Sequence, residues 1–221
     1  MFPVKFTKSG GKTIIGAVST LGKPIYLPSA DMLSTVLQKI ELRYNKLLKE
    51  VERGCDLIDA IDAFLRDVSG LAIIGSGFIE CLASDLRLSR SQIRKAVLST
   101  NYAKNLLSII KKNQYARKKQ DPITYAEACR QLVDLFGLKS TRKILKRTNI
   151  SLKEDTLRKL CKVAVMPCNV KNAVREGKIP LTLAFQLPFL NEEDFEEVLK
   201  RISGLSRAEA IKQLRKMVKK E

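Results

Sequence analysis

Residues 82–100 read LASDLRLSRSQIRKAVLST, and within them Arg90, Ser91, Arg94 and Lys95 fall at the spacing of a single helix edge. A guanidinium donates two parallel hydrogen bonds to a planar acceptor pair, such as the edge of guanine, whereas an ammonium is a point charge suited to phosphate. A second pattern runs through the same stretch. Ala83 is small, Leu82, Leu86 and Leu88 surround it, and Ile93 and Ala96 return at helical spacing. This is the packing of two short helices that cross at a small residue, with Arg87 in the turn and Ser89 capping the second helix. A positive φ at Arg87 would cost some strain. Such a helix-turn-helix at 78–99 turns Arg90, Ser91, Arg94 and Lys95 outward at the front of its second helix, the end that enters a major groove. The plainer alternative is an amphipathic hairpin whose charged face is solvated.

Charge distribution favours the first alternative. The chain has 221 residues and a net charge of +18, and 23 of its 41 lysines and arginines lie between Arg87 and Lys178 among few acids. A charge excess gathered in one stretch implies a polyanion, either nucleic acid or an anionic membrane surface. Within the stretch, KKNQYARKKQDP (111–122) ends in proline and reads as a basic linker, with Arg117, Lys118 and Lys119 either solvated or lying along phosphates.

Other chemistries find little support. The chain contains no histidine, the commonest general base and a frequent metal ligand. Cysteines 55, 81, 129, 161 and 168 are an odd number without CxxC spacing, and are expected to be reduced core thiols. Asp155 with Glu176-Gly177-Lys178 imitates the acid and lysine spacing of a metal nuclease, but such a site needs adjacent strands and these residues lie in helical sequence. GGKT (10–13) lacks the glycine and the following helix of a phosphate-binding loop, because TIIGAV reads as strand. No enzyme activity, cofactor or metal is expected. No apolar run approaches the roughly 20 residues that span a bilayer, and the opening MFPVKFTKSGGK lacks the apolar core of a signal peptide. The expectation is a soluble, cytoplasmic protein of a prokaryotic, archaeal or viral system.

The elements that must hold these residues are mostly helical. VKFTKSGGKTIIGAV alternates about Gly10-Gly11 as a β-hairpin, and KPIYLP is a possible third strand. Ser29 caps a helix reaching about Arg53, in which Leu33, Leu37, Ile40, Tyr44, Leu47 and Val51 form a heptad seam. That seam suits a coiled coil between two copies or a face packed on its own domain. CDLIDAIDAFLRDVSG is an amphipathic helix ended by Gly70, and GSGFIE opens another.

From Asp121 onward, DPITYAEACRQLVDLFGL, ILKRTNIS and MPCNVKNAVREGKIPLTLAFQL come one after another in an order and spacing that resemble the DNA-binding domain of the ParB/KorB partition-protein family. The resemblance implies an all-helical domain over 121–221, with Ile144 and Leu145 in the first helix of a helix-turn-helix and Asn149 as its turn residue. Asparagine tolerates that backbone. Read from the residues, Ser151 and Glu154 form a capping box, Leu157, Leu160 and Ala164 point inward, and Lys153, Arg158, Lys159 and Lys162 point outward. The family pattern sets an apolar anchor where Asp155 stands, which implies a short insertion with Leu157 as anchor. Lys146 and Arg147, in the KRTN turn, join Lys153, Arg158, Lys159 and Lys162 as candidate DNA contacts, Gly177 fits a helix end, and IPLTLAFQLPFL is an apolar helix beneath. Residues 1–120 carry no Gly-Glu-Arg-Arg box, so the family's nucleotide chemistry is not implied and a partition ATPase is a partner by resemblance only.

The chain is therefore expected to be mainly α, with a short N-terminal β-hairpin followed by helical domains holding two candidate helix-turn-helix units. The expected domains are 1–112, a linker over 113–120, and 121–221. The expected activity is sequence-specific binding of double-stranded DNA, as a homodimer, in replicon partition or transcriptional control. A nuclease-like enzyme or an RNA-binding protein is the alternative.

Overall fold

A computed structural model describes residues 3–17, 29–71, 73–75, 77–115, 121–185, 197–198, 200–202, 205, 208–210 and 212–213. The chain is mainly helical after a short N-terminal β-hairpin. It forms two compact units, one of Met1–Ser108 with Gln131–Thr148 and the other of Ile109–Arg130 with Asn149–Glu221.

In the first unit β1 (Pro3–Ser9) and β2 (Lys12–Ala17) pair antiparallel, from Val4 opposite Ala17 to Ser9 opposite Lys12. Gly10 and Gly11 join them with φ of 55° and 80°, the two positive angles that a tight hairpin turn requires. GGKT is thus a turn and the start of a strand. KPIYLP, the possible third strand of the sequence, lies outside the described residues. The third strand described is β3 (Ile73–Ile74), parallel to β1 with Val4 opposite Ile74, and the sheet runs β2-β1-β3. Two apolar residues before a glycine were too short a signal to read as a strand.

Three helices complete the first core. Ser29 caps α1 (Ala30–Glu52) by accepting the Met32 N–H at 3.4 Å, and Asp56 caps α2 (Leu57–Ser69), which ends at Gly70. Of the heptad positions, Ile40, Tyr44 and Leu47 are buried within the chain itself, so this part of the seam is intramolecular core. Tyr44 meets Phe6, Phe64 and Phe78 in an aromatic cluster with ring centroids 5.3 to 6.4 Å apart. Phe78 begins α3 (Phe78–Asp85). GSGFIE is indeed a helix start, and its glycines serve a close approach: a Cβ on Gly75 or Gly77 would sit 2.2 Å from the Val4 carbonyl oxygen or 2.0 Å from that of Phe6.

Helices α4 (Arg90–Ser99), α5 (Asn101–Tyr115), α6 (Pro122–Phe136) and α7 (Leu138–Arg147) come next along the chain. The expected linker over 113–120 starts inside α5, because Asn113 is buried and its side-chain amide donates to the Ile109 carbonyl one turn back. Residues 116–120, with Arg117, Lys118 and Lys119, lie outside the described residues.

The second unit contains α8 (Glu154–Ala164), α9 (Cys168–Arg175) and the single turn α10 (Leu181–Ala184). Leu157, Leu160, Val163, Val170, Val174 and Leu183 are buried. Gly177, with φ of 73°, comes after α9 as its terminator. The apolar helix expected over 179–190 is described only as far as Phe185. The cysteines divide: Cys81, Cys129 and Cys161 are buried free thiols, whereas Cys55 and Cys168 are exposed and are not core.

Candidate nucleic-acid interface

The first helix pair is built as its sequence pattern requires. Ala83 is buried, Leu82 and Ile93 are 0% exposed, and Ala96 and Val97 complete the inward side of α4. After α3 the chain reverses through Arg87, whose φ is 54°. Its N–H donates to the Ser84 carbonyl at 3.3 Å and the Leu88 N–H to the Ala83 carbonyl at 2.9 Å, so two terminal carbonyls of α3 are satisfied by a left-handed helix end. These bonds and the burial around them hold arginine in a conformation that costs a non-glycine residue about 1–2 kcal/mol. Ser89 then opens α4 with a reciprocal capping box: its Oγ accepts the Gln92 N–H at 3.2 Å, and Gln92 Oε1 accepts the Ser89 N–H at 2.9 Å. With Ile93, Ala96 and Val97 inward, Arg90, Ser91, Arg94 and Lys95 are all exposed. Arg94 lies 3.9 Å from Glu80, and Arg90 and Lys95 have no ion pair among the described residues.

A polar node fixes α3 and with it the helix pair. Asp85, at the end of α3, accepts hydrogen bonds from Lys8 of β1, from Thr13 of β2 at 2.6 Å and from Tyr44 of α1 at 2.8 Å. Burial would push its carboxyl up, but the bonds from Lys8, Thr13 and Tyr44 outweigh this and hold it below the ordinary carboxylate range. Burial pushes the Tyr44 hydroxyl up, and its bond to Asp85 adds to the shift.

The second candidate pair shares the turn conformation but not the cap. Asn149, two residues after α7, has φ of 60°. Arg87 and Asn149 are the two non-glycine residues with positive φ among the described residues, and both are the positions expected to form turns. The connection Thr148–Lys153 is two residues longer than Leu86–Ser89. Leu157 is fully buried and Asp155 exposed. The expected Ser151 capping box is absent. Helix α8 begins at Glu154 after Lys153, without a side-chain cap, so Glu154 stands in first position rather than third and Ser151 lies two residues before the cap. Glu154 instead accepts from Arg158 at 2.7 Å, and Asp155 pairs with Lys159 at 2.6 Å. Lys153, Arg158 and Lys162 are exposed and Lys159 is half-buried.

The second unit has its own anchor. Asp121 accepts from the Ile123 N–H at 2.9 Å, the Thr124 hydroxyl at 2.7 Å and Arg175 Nε at 3.0 Å. Burial raises its carboxyl, and the Thr124, Ile123 and Arg175 bonds more than offset that, leaving it below its usual range. Lys171 pairs with Glu127 at 3.0 Å, so the start of α6 is tied twice to α9.

Lys146 and Arg147 prove to be the end of a longer row. Lys139, Arg142, Lys143, Lys146 and Arg147 are all exposed on α7, and none has an ion pair among the described residues. Opposite them, Thr141 and Leu145 are buried, and Thr141 Oγ1 donates to the Leu132 carbonyl at 2.9 Å. Lys139, Arg142 and Lys143 were not singled out from the sequence, although steps of three and four were there to be counted.

Among the described residues no group of three or more His, Cys, Asp or Glu side chains gathers to hold a metal ion, and no helix is long and apolar enough to cross a membrane. Asp155 is engaged by Lys159, and Glu176 by Lys178 at 2.6 Å. Comparison with protein-family models, with characterised proteins and with solved structures finds no match.

Proposed function

We propose that this protein is a non-enzymatic, sequence-specific binder of double-stranded DNA, acting as a homodimer in replicon partition or transcriptional control. The observation that carries the reading is the coincidence of Arg87 and Asn149, each holding a left-handed turn shortly before a helix with outward lysines and arginines. In a helix-turn-helix such a turn sets the second helix at the angle at which its front enters a major groove. Arginines there read guanine edges and lysines neutralise phosphate. Duplex DNA is favoured over single-stranded RNA because the eight aromatic side chains whose burial is described are not exposed: Phe6, Tyr44, Phe64, Phe78 and Phe136 are buried, and Tyr102, Tyr125 and Phe185 are half-buried. Single-strand binders need such rings as stacking platforms. Pairing of two copies rests on the usual two-fold match to palindromic half-sites. It does not run through Ile40, Tyr44 and Leu47, while Met32 and Leu42 leave 62% and 70% of their surface exposed on α1.

The test is duplex binding by two double variants, Arg90→Ala with Lys95→Ala and Arg158→Ala with Lys159→Ala. Each should weaken binding without unfolding. Loss of discrimination between a selected site and random duplex, by about 1–3 kcal/mol per bidentate pair, identifies base contacts. If neither variant changes affinity, the helix-turn-helix reading fails.

A further inference from the structure

We infer that the exposed face of α7 is a separate, sequence-independent clamp for the phosphate backbone of double-stranded DNA, formed by Lys139, Arg142, Lys143, Lys146 and Arg147. The inference rests on the duplex-binding reading and assigns it a surface outside the helices α4 and α8.

Three observations carry it. The first is charge density. From residue 139 to residue 147 a helix rises about 12 Å, so five cations stand about 3 Å apart along the axis, close to the ~3.4 Å between phosphates along one strand of duplex. The second is the absence of any internal partner. In α8 two of the cations are engaged by Glu154 and Asp155 of the same helix, whereas α7 contains no acid and its five cations have no ion pair among the described residues. Like charges three and four residues apart repel, and this row contains five such pairs: 139 with 142 and 143, 142 with 146, and 143 with 146 and 147. The helix therefore carries a self-repulsion that an anionic ligand relieves. The third is what the helix lacks. Its apolar side is already used, with Thr141 and Leu145 buried and Leu138 and Ile144 half-buried, so no apolar face remains to enter a bilayer. The side chains on the open face are long cations on the first helix of their pair, the helix that in a helix-turn-helix crosses the phosphate backbone while the second reads bases.

The full-length protein and its Lys139→Gln, Arg142→Gln, Lys143→Gln variant would be titrated with a labelled mixed-sequence DNA duplex of 30 base pairs between 50 and 300 mM salt. The expected result is a fall of ~2.7 in the slope of log K against log salt, with a loss on the order of a hundredfold at 0.1 M that is the same for every duplex sequence. Melting in low salt without DNA should move the other way, with the variant about 2–5 °C more stable because repulsion has been removed. If the triple variant does not fold, each single replacement should still lower the slope by ~0.9. An unchanged slope in variants of a protein that does bind duplex overturns this inference and leaves the functional reading intact. Absence of duplex binding by the unmodified protein at 50 mM salt overturns both. Tighter binding to phosphatidylserine vesicles than to duplex, lost in the triple variant, overturns the inference in favour of a membrane surface.

Discussion

Arg87 and Asn149 both turn the chain left-handed just after a helix, at φ of 54° and 60°, but the segments beyond them differ. After Arg87 the connection is short, the helix end is closed by two backbone bonds, and Ser89 and Gln92 cap the next helix reciprocally. After Asn149 the connection is two residues longer, and α8 begins uncapped on two acids, Glu154 and Asp155. Those acids favour the helix dipole, and their pairs with Arg158 and Lys159 are weak, at about 0.3–0.5 kcal/mol each where solvent-exposed. Neither pair would stop an arginine from turning to DNA. The cost is that two carboxylates stand at the helix end that would approach phosphates. The resemblance of the sequence to partition proteins leads us to expect α8 as the principal reader, whereas the electrostatics of the two helix fronts favour α4. The lesson is that a motif's packing residues and its charged residues are separate requirements, and one is met without the other.

The largest effect that would separate the two regions is steric. Gly77→Val forces a side chain onto the Phe6 carbonyl at a φ of 90°, and should cost roughly 2–6 kcal/mol of stability in urea unfolding. Gly177→Ala in the other unit meets no atom within 4 Å and should lose only about 1–2 kcal/mol to backbone strain. Equal losses would mean that the sheet's approach to α3 is not what fixes the first helix pair.

Acid comes next. Asp85 and Asp121 each anchor one unit, and each is held below its unfolded value, so each contributes stability that is present above about pH 4 and lost as pH falls through the folded value. Asp85→Asn should remove about 1.5–3 kcal/mol at pH 7 and flatten the acid limb of the stability curve. Asp121→Asn should do less, because its side chain is 34% exposed against 16% for Asp85 and solvent screens its partners. An acid limb unaltered in Asp85→Asn would show that the node does not anchor the first unit.

The smallest effect bears on the turns themselves. Arg87→Gly should stabilise the protein by up to about 1 kcal/mol by relieving the left-handed strain, and Asn149→Gly should change it little, since asparagine tolerates that region. Thermal melts of the two variants make the comparison. Destabilisation by Arg87→Gly would show that the arginine side chain stabilises its turn.

Much of this was legible in the sequence. The Asn149 turn comes with the family resemblance, whereas the hairpin is written in Gly10-Gly11 between alternating residues, α1 in Ser29 and its apolar spacing, and the Arg87 turn in the small and apolar residues around it. These are local signals. Those that escaped depend on distant chain: β3 is defined by pairing with Val4, and the value of Gly75 and Gly77 lies in carbonyls some seventy residues earlier. The Asp85 node joins four elements that no sequence window contains. The start of α8 was misread because Ser151 and Glu154 have capping-box spacing, while the longer connection carries Ser151 outside the helix. The full row on α7 was readable from its steps of three and four, but it lies on the first helix of its pair, which the motif uses for support rather than for reading bases.

The central claim, that these helices recognise a DNA sequence, is tested most directly by selection of bound fragments from a random duplex library at 150 mM salt, with excess RNA competitor. The expected result is convergence within a few rounds on one motif, with two half-sites related by a dyad and affinity for it on the order of 10³-fold or more above random duplex. A bound pool that stays random, or one displaced by the RNA, would contradict it.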